Sequence, residues 1–111
     1  MLNGKQRAIL RKEANSLPAL YQIGKDGITE NVIKQFDDAL EANEMIKVHI
    51  LDNSLLEIRE TADAVSEKLG ADTVQCIGSK FVLFRRSKDN PKYEIWGIVM
   101  WMISLSIYYL I

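Results

Sequence analysis

The chain has 111 residues, 48% of them apolar and 26% charged, with a single histidine and a single cysteine. That size and composition suit one compact domain whose core closes without metals or cross-links. They exclude an internal disulfide and a zinc set, and His49 is the one candidate for any histidine-based triad.

A lone cysteine, Cys76, fits a reducing cytoplasm, and the N-terminus lacks the apolar run and small-residue cleavage site of a secretory signal. The net charge of -1 hides a segregation. Residues 1–25 hold five basic side chains against Glu13, residues 26–72 hold four against twelve acidic ones, and residues 73–111 hold five against Asp89 and Glu94. If the two chain ends meet in the fold, one face is basic and another acidic. Solvated surface charge is the plainer alternative.

Residues 4–16 read as a first, weakly amphipathic helix, with Ala8, Ile9 and Ala14 as its apolar stripe and Lys5, Arg7, Arg11 and Lys12 around it. The Leu17-Pro18 step ends that helix, because the residue before proline avoids the helical region. Ala19 to Ile23 then makes a short strand. Gly24-Lys25-Asp26-Gly27 follows as a glycine-bracketed turn, where positive φ and close approach of a ligand to the backbone cost least. Thr29 is a good N-cap, so the turn lies beside the free N–H groups of a second helix, an arrangement that favours anions. The same residues also serve an ordinary strand-to-helix turn, and Asp26 repels phosphate.

The second helix is expected over residues 30–42, with Val32, Ile33, Phe36 and Leu40 inward and Asp37, Asp38 and Glu41 outward. Met45 to Leu51 alternates as a half-buried strand, with Ile46, Val48 and Ile50 on one side and Lys47 and His49 on the other. On such a strand His49 is a surface residue rather than a catalyst. Ser54 and Glu57 form a capping box for a third helix whose apolar positions are Leu55, Ile58, Ala62, Val65 and Leu69, stopped by Gly70. Residues 73–77 and 80–85 are two apolar runs joined by Gly78-Ser79, a hairpin, with Cys76 as a small strand residue. The expected fold is α/β: helix, strand, helix, strand, helix, strand, strand. A right-handed crossover pairs the first two strands in parallel, and the hairpin completes a mixed four-stranded sheet packed with helices.

Gly4-Lys5-Gln6-Arg7, Gln22 to Thr29, Glu44 to Val48 and Gln75 to Arg85 occur in the order found in the bacterial YhbY family, and the chain resembles that family over residues 2–90. These are stand-alone CRM domains, the chloroplast RNA splicing and ribosome maturation module. The resemblance implies a fold similar to the C-terminal domain of translation initiation factor three. It also implies RNA binding without catalysis or cofactor, and association with ribosomal RNA in precursors of the large subunit. The family's glycine loop is compared with the G-x-x-G turn of KH domains, which clamps a nucleic-acid backbone. Carried over by position, Gly24, Lys25, Asp26 and Gly27 touch the RNA backbone, and Lys5, Arg7, Arg11, Lys12, Arg85 and Arg86 add phosphate contacts.

The chain departs from the family after Lys92. The domain is expected over residues 1–92, followed by an apolar tail in which Trp96 to Ile111 carries no charge. That run is shorter than the ~20 apolar residues that span a bilayer comfortably. It reads as a membrane-associating segment, as a segment packing on the domain or another copy, or as an accident of reading frame. Two rivals to plain RNA binding follow: a protein-interaction module using the acidic helical faces, and an RNA binder tethered to a membrane by the tail.

Overall fold

Asn3 starts the first helix, α1 (Gly4–Ala14), through a reciprocal capping box: its side chain accepts from the Gln6 N–H at 2.8 Å, and its own N–H donates to the Gln6 side chain at 3.0 Å. The computed structural model describes residues 2–52, 56–89 and 91–93. Leu10 and Ala14 are the apolar residues that α1 buries. Ala8, expected in the stripe, is exposed, because the buried line runs Gln6, Leu10, Ala14 at four-residue spacing.

β1 is shorter than expected, Tyr21–Ile23. The Leu20 N–H donates to the Pro18 carbonyl at 3.1 Å, and this tight turn keeps Ala19 and Leu20 out of the ladder. α2 (Glu30–Asn43) begins as expected at Thr29, whose hydroxyl accepts from the Val32 N–H at 3.2 Å. β2 (Met45–Ile50) follows directly. α3 (Ile58–Leu69) starts later than the Ser54 capping box requires. Glu57 is its N-cap, accepting from the N–H groups of Arg59 and Glu60 at 3.1 and 2.7 Å, while Ser54 and Leu55 lie outside the described residues. Two carboxylate oxygens thus satisfy two of the free N–H groups at that helix end. Gly70 closes α3 in the left-handed region, φ +62°, as its position after Leu69 predicts.

β3 (Asp72–Ile77) and β4 (Lys80–Phe84) form the expected hairpin. Gly78, at φ +61°, gives the two-residue turn the positive φ it needs. The sheet order is β1-β2-β4-β3, with β1 and β2 parallel and the other pairs antiparallel. The α/β fold with a mixed four-stranded sheet is therefore the one the sequence predicts. A register shift between Thr73 and Gln75 bulges β3 at Val74, which turns that side chain into the core beneath α1.

Two apolar clusters hold the layers together. On one face Phe36 and Leu40 of α2, and Val65 and Leu69 of α3, pack against Ile46, Val48, Phe81 and Leu83. Tyr21 meets Phe36 edge-on, centroids 5.9 Å apart. On the other face Leu10 and Ala14 of α1 cover Met45, Val74, Val82 and Phe84. Tyr93 joins this second cluster and meets the Phe84 ring, so the packing runs one residue past the boundary expected at Lys92. The apolar tail, and with it the membrane reading, lies outside the described residues.

Candidate nucleic-acid interface

Gly24-Lys25-Asp26-Gly27 leaves β1 as a tight turn closed by the Gly27 N–H on the Gly24 carbonyl at 3.0 Å. Gly27 has φ +69° and Gly24 lies outside the positive range, so the left-handed requirement falls on one glycine alone. A Cβ at Gly24 would make only ordinary contact with Leu51, at 3.8 Å. Lys25 and Asp26 are exposed at the tip, and two residues beyond Gly27 the Thr29 cap opens α2. The turn thus presents a flexible cation next to the positive end of a 14-residue helix.

Register fixes what lies near this loop. Ile23 pairs with Ile50, and the Ile50 N–H donates to Ser79 at 2.8 Å, so the glycine loop, the end of β2 and the β3–β4 turn share one end of the sheet. α1 climbs the opposite face from α2 and α3. Near its start Arg7 donates from Nη1 to the Thr73 carbonyl, and at its end Asn15 borders Ile77 and Lys80. Arg11 and Lys12 therefore lie on the half of α1 nearer the loop, and Lys5 and Arg7 on the far half. Lys5, Arg11 and Lys12 are exposed and have no ion-pair partner among the described residues.

Arg85 and Arg86 are at the other end. Arg85 is level with Glu44, to whose carbonyl its N–H donates at 2.9 Å, and six residues of β2 separate that level from Ile50. At ~3.3 Å per strand residue the gap to the loop is roughly 20 Å. Both guanidinium groups are also engaged. Arg85 pairs with Asp37 at 2.6 Å and also donates to the Leu69 carbonyl at 2.9 Å. Arg86 pairs with Glu44 at 3.0 Å and lies over the Phe84 ring. The fold does not bring these two arginines to the glycine loop. Charge segregation along the chain is undone here, because the basic C-terminal arm is bound to the acidic end of α2.

The sequence profile of the CRS1 / YhbY (CRM) domain matches residues 2–85. The chain belongs to the CRM domain family. It is similar to "Probable RNA-binding protein YqeI" of Bacillus subtilis, 41% identical over 86% of this chain and 99% of that protein. It is also similar to an "RNA-binding protein" of Haemophilus influenzae, 31% identical over 79% of this chain and 89% of that one. The solution structure of the hypothetical protein SAV1595 of Staphylococcus aureus superposes with a TM-score of 0.70 at 44% identity, covering 86% and 99% of the two chains.

Within this CRM domain the residue that sequence reasoning missed is Glu44. Its side chain is fully buried, yet it accepts from the N–H groups of Ser87 at 2.8 Å and Tyr93 at 3.0 Å, from the Lys92 N–H, and from Arg86. Burial pushes its carboxyl up, but those N–H groups and the Arg86 guanidinium outweigh burial and hold it below the ordinary glutamate value. Its backbone has φ +65° with no glycine to relieve it. The available signal was the absence of a turn residue between a helix stop at Asn43 and a strand start at Met45. Glu41 extends the clamp, accepting from the Ser87 hydroxyl at 2.9 Å and the Lys88 N–H at 3.2 Å. The Ser87 hydroxyl is the chief cause of its lowered carboxyl pKa.

Burial pushes the Cys76 thiol up, which opposes thiolate chemistry. Among the described residues no group of three His, Cys, Asp or Glu side chains could hold a metal ion.

Proposed function

We propose that this CRM domain is a non-catalytic RNA-binding protein that grips structured ribosomal RNA by its backbone and assists assembly of the large ribosomal subunit in the cytoplasm. The observation that carries the reading is the exposed Lys25 on a positive-φ turn beside the capped start of α2. That geometry suits a phosphate, and the chain's relatives are named RNA-binding proteins. The phosphate-contacting set centres on Gly24, Lys25, Asp26 and Gly27, with Arg11 and Lys12 nearest and Lys5 and Arg7 farther along α1. Arg85 and Arg86 leave that set, since both are paired roughly 20 Å away along the strands. The acidic surface that a protein-interaction module needs is partly occupied, Asp37 by Arg85 and Glu41 by Ser87.

Sedimentation of a cell extract through a sucrose gradient at low salt tests the assembly role. The untagged protein should travel with large-subunit precursors and leave them as salt rises, because phosphate contacts release counterions. Migration only with free protein at every salt concentration would remove the ribosomal part of the reading.

A further inference from the structure

The sheet face on which α1 stands is only half covered. Pairing registers align Gln22, His49, Lys80 and Ile77 in one row across all four strands, and Lys47, Val82 and Gln75 in the row beneath. α1 packs over Met45, Val74, Val82 and Phe84 and leaves the upper row open. Gln22 and Lys80 are exposed, His49 is half-buried, and Ile77 is 64% exposed. Between the rows lies a shallow depression of about 140 Å³ bordered by Asn15, Lys47, Gln75, Ile77, Lys80 and Val82. No carboxylate lines it, and neither lysine has an ion-pair partner among the described residues. This is unlike Arg85 and Arg86, whose charges are compensated within the fold. Gln22, at one end of the row, is two residues before Gly24.

We propose that this open row is a second part of the ligand site, taking a single-stranded segment of RNA that continues from the glycine loop across the sheet. The inference rests on the RNA-binding reading and deepens it. Lys47 and Lys80 neutralise phosphates, while His49 on one side of Lys80 and Ile77 on the other each offer flat or apolar contact to an unstacked base, beside the amide side chains of Gln22 and Gln75. Single strands fit because their bases are free to meet side chains, whereas A-form duplexes show mainly backbone and a shallow minor groove. Three inter-strand spacings give the row a length of roughly 14 Å. The end of α1 at Asn15 borders it as a step, which denies a rigid duplex the flat approach it needs. An apolar protein partner is disfavoured, since Ile77 is the one strongly exposed apolar side chain in the row.

The test titrates a single-stranded ribosomal RNA fragment and its duplex against the full chain at several salt concentrations. Wild type, Lys25→Ala, Lys47→Ala/Lys80→Ala and the length-preserving Lys47→Gln/Lys80→Gln are compared, with thermal melts alongside. Both double variants should melt like wild type, bind the single strand about tenfold more weakly, and lose about 1.4 from the magnitude of the salt slope, two single-strand contacts. A 4-thiouridine strand should photo-crosslink to the peptides holding His49 or Ile77. Wild-type affinity and slope in a folded double variant, with Lys25→Ala impaired, would overturn the sheet-face site and leave the loop reading intact. Equal affinity of wild type for strand and duplex would also overturn it. Failure of wild type to bind either at low salt would overturn both readings.

Discussion

The two ends of the sheet use charge in opposite ways. At the end holding Glu44, Arg85 and Arg86 bind Asp37 and Glu44, and the C-terminal arm hands its N–H groups to buried or half-buried carboxylates. Lys25 and Lys80 at the glycine-loop end, and Lys47 midway along β2, have no such partners among the described residues. The contrast teaches that the basic residues of one small domain need not share a role. Charges compensated inside the fold stabilise it, and only the uncompensated ones are free to meet phosphate.

The largest expected effect lies at the compensated end. Glu44→Ala removes the acceptor for Arg86 and three backbone N–H groups, and stranding a buried charge pair's partner groups costs about 3–5 kcal/mol. Urea unfolding should show that loss, while RNA affinity of the folded fraction stays near wild type. Glu44→Gly should lose less than Glu44→Ala, because glycine relieves the φ +65° backbone. A chain ended after Arg86 should behave like Glu44→Ala, and one ended after Tyr93 should unfold cooperatively near the wild-type midpoint. A depressed carboxyl in the folded state means that Glu44's contribution is full above the ordinary value of 4.5 and is lost as pH falls through the lower folded value. Acid titration of urea midpoints should show the gap between wild type and Glu44→Gln closing in that window. A gap that holds constant there would place the stabilisation elsewhere.

Next in size is Gly27→Val. A β-branched residue at φ +69° strains the turn by about 1–3 kcal/mol and puts a side chain where the proposed site needs bare backbone. Thermal melts and RNA titration should both move, unlike the stability-only change at Glu44. Gly24→Ala should be milder, since its backbone is outside the positive range and a Cβ there makes only ordinary contact.

Local rules explain why so much of this architecture could be read in advance. Alternation in β2, the Thr29 cap, the Gly70 stop and the Gly78 turn are decided by neighbours in sequence. The glycine loop was legible for the same reason. What escaped depends on residues more than forty positions apart: Glu44 with Arg86, Ser87, Lys92 and Tyr93, and Arg85 with Asp37. A carboxylate at a helix end and two arginines after a strand look like solvated charge until the fold joins them. The bulge at Val74 was equally hidden, because it answers to the packing of α1 rather than to β3's own alternation.

A smaller change is expected from Asp37→Asn. Asp37 is 54% exposed, so its pair with Arg85 is worth at most about 1 kcal/mol. RNA affinity should stay unchanged or rise slightly as one repelling charge disappears. Marked weakening in a filter-binding assay would mean that RNA lies across the acidic end of α2, and the contrast between the two sheet ends would fail.

Lys25→Ala should change stability least and still alter binding. The side chain is exposed and has no ion-pair partner among the described residues, so its removal leaves no buried group unsatisfied there and thermal melts should coincide with wild type. A contact to phosphate carries charge but no base information, so affinity for every RNA sequence should fall by a similar factor. The magnitude of the salt slope should drop by about 0.7 if the phosphate belongs to a single strand, and by about 0.9 if it belongs to a duplex. Measuring the slope on both substrates therefore locates Lys25 relative to the structured and unstructured parts of the ligand. An Arg85→Ala control sharpens the comparison, since loss of a compensated charge should leave the slope untouched while lowering the melting temperature. Should Arg85→Ala change the slope and Lys25→Ala leave it alone, the working end of the sheet is the one holding the C-terminal arm, and the glycine loop is an ordinary turn.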